Sequence, residues 1–132
     1  MTHLLDSSAF LAYFFNEPGK PRVEQLLTDE TASIGLSVLT ASEFWSRLKQ
    51  EGREAVFDEE WADHLPLFDA ILPVDWAVTQ RAVAIRRATP SRLPTIDSLI
   101  AASAAVQSAV LVHRDPHFRA IPGELLQQEF LE

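Results

Sequence analysis

Short apolar runs that stop abruptly at a polar residue alternate along this chain with longer stretches in which apolar positions recur every three or four residues. The first run, His3–Leu5, ends at Asp6, and Ser7 or Ser8 offers a cap for a helix over Ala9–Asn16 that Pro18 and Gly19 bring to a stop. A second helix is predicted from Lys20 to Leu27, and the β-branched and apolar segment Thr31–Leu36 reads as a strand. Ser37 can cap a helix that runs to about Glu51 and is stopped by Gly52. Residues Arg53 to Phe68 have a helical, amphipathic pattern, with Phe57, Trp61 and Leu65 spaced four apart. Ile71–Val74 is a predicted strand, Asp75 a cap for a helix to about Ala88, and Pro90–Pro94 a loop. A helix over Thr95–Gln107, a strand over Ala109–His113 and an edge strand near Leu126–Leu131 complete the series.

Strand and helix alternate almost throughout, which predicts an α/β fold: a mostly parallel sheet of four to five strands between two helical layers, the whole of residues 1–132 forming one domain. In such sheets ligands collect beyond the carboxyl ends of the strands, where the strand order reverses. An apolar content of 47% with 23% charged residues fits a folded globule. The absence of cysteine excludes disulfides and thiolate metal sites, and no basic-then-apolar leader opens the chain. The most apolar stretch, Leu99 to Val112, is too short and too interrupted to cross a bilayer, so a cytoplasmic protein without membrane contact is expected.

Acids mark the polar boundaries of several elements. Asp6 closes the first strand, Asp97 lies at the start of a helix that carries no other charge, and Asp115 follows the strand that ends at His113. With Ser7 and Ser8 able to cap the first helix and Thr95 able to cap the later one, neither Asp6 nor Asp97 is needed as a cap. Glu43 is harder to read: Val38, Ala41, Trp45 and Leu48 define the expected core stripe of its helix, which turns Glu43 away beside Leu39, Ser46 and Gln50, within reach of Arg47. Carboxylates do not gather without positive charge between them, and a divalent cation coordinated by oxygen is the species that fits such a set. His113 and His117 are further candidates as ligands or phosphate contacts. The net charge of −8 argues against a protein that coats nucleic acid, although Arg81, Arg86, Arg87 and Arg92 precede Asp97 and Arg114 and Arg119 flank Asp115.

In four segments, Leu4–Ser8, Ser37–Leu48, Leu93–Ala102 and Leu111–Phe118, the chain resembles the PIN-domain ribonucleases, in particular the VapC toxins of prokaryotic toxin–antitoxin pairs. The segments stand in the family's order and span nearly the whole length. The resemblance implies a three-layer α/β/α PIN-like domain. Its acidic pocket, Asp6, Glu43, Asp97 and Asp115, would hold Mg²⁺ or Mn²⁺, with Ser8 in support and with His113 and Arg114 near phosphate or metal. It further implies hydrolysis of RNA to a 5′-phosphate and a 3′-hydroxyl, a homodimer, and a small cognate antitoxin protein laid across the toxin. The acidic and aromatic segment Glu51–Asp69 would suit a basic, apolar partner tail. Many relatives carry Thr or Ser where His113 stands and a further acid where His117 stands. The competing expectation is a catalytically silent PIN-like module that only binds RNA or protein. A phosphoaspartyl phosphatase would need Asp-x-Asp after the first strand, and a receiver domain would need a lysine at a late strand end; the chain has Asp6-Ser7-Ser8, and its last lysine is Lys49.

Overall fold

The computed structural model describes residues 1–132. Its centre is a sheet of five strands, all parallel, in the order β3-β2-β1-β4-β5: β1 His3–Leu5, β2 Ile34–Ser37, β3 Ala70–Leu72, β4 Val110–His113 and β5 Gln128–Phe130. The β1–β2 link passes through α1 (Ser7–Phe14) and α2 (Lys20–Thr28), and the β2–β3 link through α3 (Leu39–Gln50) and α4 (Phe57–His64). The β3–β4 link passes through α5 (Trp76–Ala88) and α6 (Thr95–Val106) and carries the chain across to the other side of β1. The order therefore reverses between β1 and β4, and the crevice of a doubly wound sheet opens at that point.

Side chains alternate across the strands and so feed two cores. Leu4 and Leu111 face one layer, where they meet Ile85 of α5, Ile100 and Ala104 of α6, and Phe118. Leu5 and Val112, one residue on in each strand, face the opposite layer with Phe10 of α1, Leu26 of α2 and Phe44 and Leu48 of α3. The inner strands β1, β2 and β4 are covered on both faces, which explains why they read as apolar runs rather than as alternating ones, whereas the edge strands β3 and β5 are half-buried. Phe10, Phe14, Phe44, Phe57 and Trp61 pack ring against ring in the second core, with Phe10 and Phe44 edge to face at 5.1 Å between centroids.

Several local expectations are corrected. The segment 53–68 is not one helix: α4 is flanked by 3₁₀ turns at Glu54–Val56 and at Leu65–Leu67, the second started by Pro66. The buried stripe of α3 is Thr40, Phe44 and Leu48, whereas Val38 and Trp45 stand 46% and 40% exposed. The stripe is turned by about one position from the sequence reading, because Phe44 fits edge to face against Phe10 and Phe14 of α1. Thr95 is the first residue of α6 rather than its cap, and Pro94 in the preceding position has no side chain to donate or accept. Asp75 does cap α5, accepting from Val78 N at 3.0 Å.

At the turn into α2, Gly19 has φ +102°, and a methyl group there would lie 3.1 Å from Leu131 Cβ. Gly19→Ala should therefore destabilise the fold by roughly 1–2 kcal/mol in urea unfolding, through backbone strain and the clash together. An unchanged unfolding midpoint would show that this turn relaxes freely.

Candidate functional site

The carboxyl ends of β1 and β4 deliver the first two acids. Asp6 directly follows β1 and is the actual N-cap of α1, accepting from Ala9 N at 2.8 Å. The expectation that Ser7 or Ser8 would cap this helix is thus overturned: a carboxylate in the cap position reaches the free N–H better than the hydroxyls beyond it. Ser8 instead donates to both Asp6 oxygens, at 2.7 and 2.8 Å, and accepts from Arg114 N at 2.8 Å. One hydroxyl therefore ties the end of β1 to the loop after β4. Asp6 is only 3% exposed, and burial, followed by the nearby Asp115 charge, pushes its carboxyl up to about 7 against the pull of its hydrogen bonds.

Asp97 occupies the first turn of α6, where the helix dipole favours an anion. Its carboxyl is nevertheless pushed up to about 6, first by burial and then by the charges of Asp115 and Glu43, with His117 acting in the opposite sense. Asp115 accepts from His117 N at 2.9 Å, and the His117 ring presents Nδ1 at 2.9 Å from Asp115 Oδ1 and 3.5 Å from Asp97 Oδ2. Ligand atoms of Asp97, Asp115 and His117 all fall within 4.8 Å of one another. Glu43 borders this set and is held by Ser7, whose hydroxyl donates to Glu43 Oε1 at 2.7 Å. That donation leaves the Thr40 hydroxyl, 3.1 Å away, as the donor to Ser7. The expected Glu43–Arg47 pair is absent; Arg47 binds Glu17 and Glu51 instead. The shifted core stripe of α3 accounts for this, because it turns Glu43 toward α1.

Two assignments from sequence do not survive as direct contacts. His113 is completely buried, its Nδ1 accepts from Asp115 N at 3.2 Å, and its Nε2 consequently donates to Gln128 Oε1 at 2.8 Å. With both nitrogens committed and burial depressing its basicity, the ring stays neutral and braces the Asp115 loop instead of meeting phosphate or metal. The Arg114 side chain points to Glu17, 3.4 Å away; its contribution here is the backbone N–H given to Ser8. Sequence reading missed Ser7, Thr40 and Gln128 as supports. Only the hydroxyls three residues before Glu43 and one after Asp6 carried any local hint of the first two.

A divalent cation fits this donor set. Four carboxylates and the hydroxyls that orient them are hard oxygen groups, and Asp6 and Asp97 both resist ionisation in its absence. Free oxygens remain on Glu43 and Asp97, and His117 Nδ1 lies at the same opening.

A family model described as PIN domain matches residues 3–124. No curated protein sequence matches the chain. Among solved structures, VapBC2 from Rickettsia felis, bound to a fragment of its promoter DNA, is similar at 18% identity over 100% of both chains, with a TM-score of 0.79. FitAcB from Neisseria gonorrhoeae is similar at 24% identity over 97% of each chain, with a TM-score of 0.77. DNA-bound VapBC from Salmonella typhimurium is similar at 18% over 98% of each chain, with a TM-score of 0.78. Identities this low establish likeness of fold.

The raised value of Asp6 has a pH consequence. Between the ordinary aspartate value near 4 and about 7 the folded protein holds a proton that the unfolded chain releases, so this contribution to stability is present at low pH and lost as pH rises through that window. Buried His113 and half-buried His3, whose values are depressed, act in the opposite sense, so the test is a comparison of variants. In chelator, Asp6→Asn should melt close to wild type at pH 5. At pH 8 it should melt higher by the equivalent of at least ~1 kcal/mol. A difference that shrinks or reverses toward pH 8 would show that the Asp6 charge is not strained.

Proposed function

The chain belongs to the PIN-domain family, and from that premise we propose that it is a metal-dependent endoribonuclease acting as the toxin of a toxin–antitoxin pair. The observation that carries this reading is the meeting of Asp97, Asp115 and His117 at the carboxyl edge of the sheet, with Asp6 and Glu43 bordering them. Asp6 and Asp97 would hold the cation, and Glu43 and Asp115 would complete its surroundings directly or through water. Mg²⁺ or Mn²⁺, when bound, supplies neutralisation of the phosphate and a water made acidic enough to act near neutral pH. Glu43, with one oxygen fixed by Ser7, has the other free to orient that water and take its proton. The Asp115 carboxylate accepts from His117 N, and its own backbone N–H donates to His113, so both the side chain and its loop are held in place. Attack of water oxygen on phosphorus, with departure of the 3′ oxygen, gives a 5′-phosphate and a 3′-hydroxyl.

The structural neighbours are complexes of VapBC and FitAB type, which supports an antitoxin protein as partner. On this chain the surface suited to it is a cleft of about 440 Å³ formed by the rings of Tyr13, Phe14, Phe15 and His64, with Asn16, Lys20, Arg53 and Glu60 around them. The acidic first turn of α4, Asp58 to Glu60, lies alongside. An apolar, basic peptide would find ring faces in the cleft and its counter-charges on α4. A homodimer belongs to the same proposal, and Trp76, 70% exposed at the start of α5, is the most exposed large apolar side chain offered to a second copy.

Purified protein with Mg²⁺ or Mn²⁺ should cleave RNA, EDTA should stop it, and Asp97→Asn should lower the rate by roughly 100-fold or more. Cleavage by Asp97→Asn at the wild-type rate would refute the assignment, and failure of wild type to cut or to bind Mn²⁺ would favour a silent binding module. Because an imidazole stands beside the carboxylates, the site should also prefer Mn²⁺ to Mg²⁺. By calorimetry, His117→Ala should weaken Mn²⁺ binding roughly tenfold and leave Mg²⁺ binding nearly unchanged. Equal losses for both ions would show that His117 is not a ligand.

A further inference from the structure

Eleven cations serve this chain against nineteen acids, and seven of the cations are occupied. Lys20, Arg22, Arg47 and Arg114 are ion-paired to carboxylates. Lys49 lies over Trp45, Arg53 over Phe14 and Phe15, and Arg119 over Phe130 at 4.0 Å. Four arginines have neither a carboxylate nor a ring: Arg81, Arg86, Arg87 and Arg92. Three of these, Arg86, Arg87 and Arg92, line one surface cleft of about 370 Å³, together with Ser91 and the apolar side chains of Val83 and Leu93. Compensation of the helix dipole accounts for Arg86 and Arg87 in the last turn of α5. It does not account for Arg92, which lies beyond the helix. In an acidic protein three guanidinium groups facing one hollow repel each other with no internal return. An external anion is the species that relieves them.

The location identifies the anion. The cleft lies at the junction of α5 and α6, and Arg92 precedes Asp97 by five residues, so their Cα atoms cannot be farther apart than about 18 Å. A strand of RNA at the acidic edge is thus within a few nucleotides of the cleft. With a net charge of −8, the protein repels that strand everywhere except where cations stand free. We propose that Arg86, Arg87, Ser91 and Arg92 form a phosphate-binding subsite for the backbone of a single-stranded RNA flanking the bond to be cut. The guanidinium forks take phosphate oxygens, and Val83, 44% exposed, gives an adjoining base an apolar surface. This rests on the ribonuclease reading and adds to it the side from which the substrate is held.

The test measures binding apart from cleavage. A labelled single-stranded oligoribonucleotide is titrated with full-length protein in EDTA at several salt concentrations, by fluorescence anisotropy. The triple variant Arg86→Ala/Arg87→Ala/Arg92→Ala should bind at least tenfold more weakly, and the slope of log K against log salt should become shallower by about two, as expected for three lost contacts to a single strand. Arg92→Ala alone should lose affinity severalfold. Arg81→Ala should change little, because Arg81 lines a different cleft with Gly123 and Glu124. Circular dichroism melts check that each variant is folded; a triple variant that is not is replaced by Arg92→Ala and Arg87→Ala singly. Wild-type affinity in the folded variants, or an equal loss in Arg81→Ala, overturns the subsite. Displacement of a phosphate-sensitive signal by inorganic phosphate with no response to the oligonucleotide would identify a free-phosphate site and overturn the RNA assignment. Binding through these arginines without cleavage when Mn²⁺ is restored would sink the ribonuclease reading and leave the subsite standing; cleavage with wild-type binding by the triple variant would do the reverse.

Discussion

A carboxylate resists being buried beside other carboxylates, and the arrangement of the rest of this molecule follows from that resistance. Asp6 is enclosed by the protein at the end of the central strand, and Asp115 from the neighbouring strand raises its energy further. The fold does not relieve the strain by neutralising these groups with lysine or arginine. It surrounds them with hydroxyl and backbone donors: Ser8 and Ala9 for Asp6, Ser7 for Glu43, and the His117 backbone for Asp115. Such donors fix direction without cancelling charge, so the acids are held in a set geometry with their repulsion unrelieved.

That setting depends on layers well away from the acids. Parallel β1 and β4 are held in register by backbone bonds and by two dry cores, so the positions that follow them leave the sheet side by side. Ser8 then joins the two exits through Arg114 N. On the far side of β4, His113 passes the constraint outward to Gln128 on the edge strand, and Gln128 donates in turn to Phe118 O. A neutral histidine whose ring is fully enclosed thereby locks the loop that carries Asp115 and His117. Its role is mechanical.

Charge is partitioned over the surface with equal economy. Acids dominate α4 and the carboxyl edge of the sheet, most cations are absorbed by pairs or aromatic rings, and the free arginines are confined to α5 and the loop that follows it. A polyanion approaching this protein therefore meets an attractive region that lies a few residues from the acidic set of Asp97, Asp115 and His117.

The alternation of apolar runs with helical periods was enough to establish the α/β class, the five strands and the approximate place of every helix, because burial on both faces of a parallel sheet leaves its mark in each strand separately. The boundary positions of Asp6, Asp97 and Asp115 were legible for the same reason: a charge that ends a dry run stands out locally. Side-chain direction was not legible. Whether Phe44 or Trp45 entered the core, and hence which way Glu43 turned, depended on the shape of a ring cluster assembled from three helices. Whether His113 reached solvent depended on a strand arriving fifteen residues later. Hydrophobic pattern is a property of neighbours in the chain; the partner that satisfies a buried nitrogen or oxygen comes from elsewhere in it, and only the packed tertiary structure decides which one arrives.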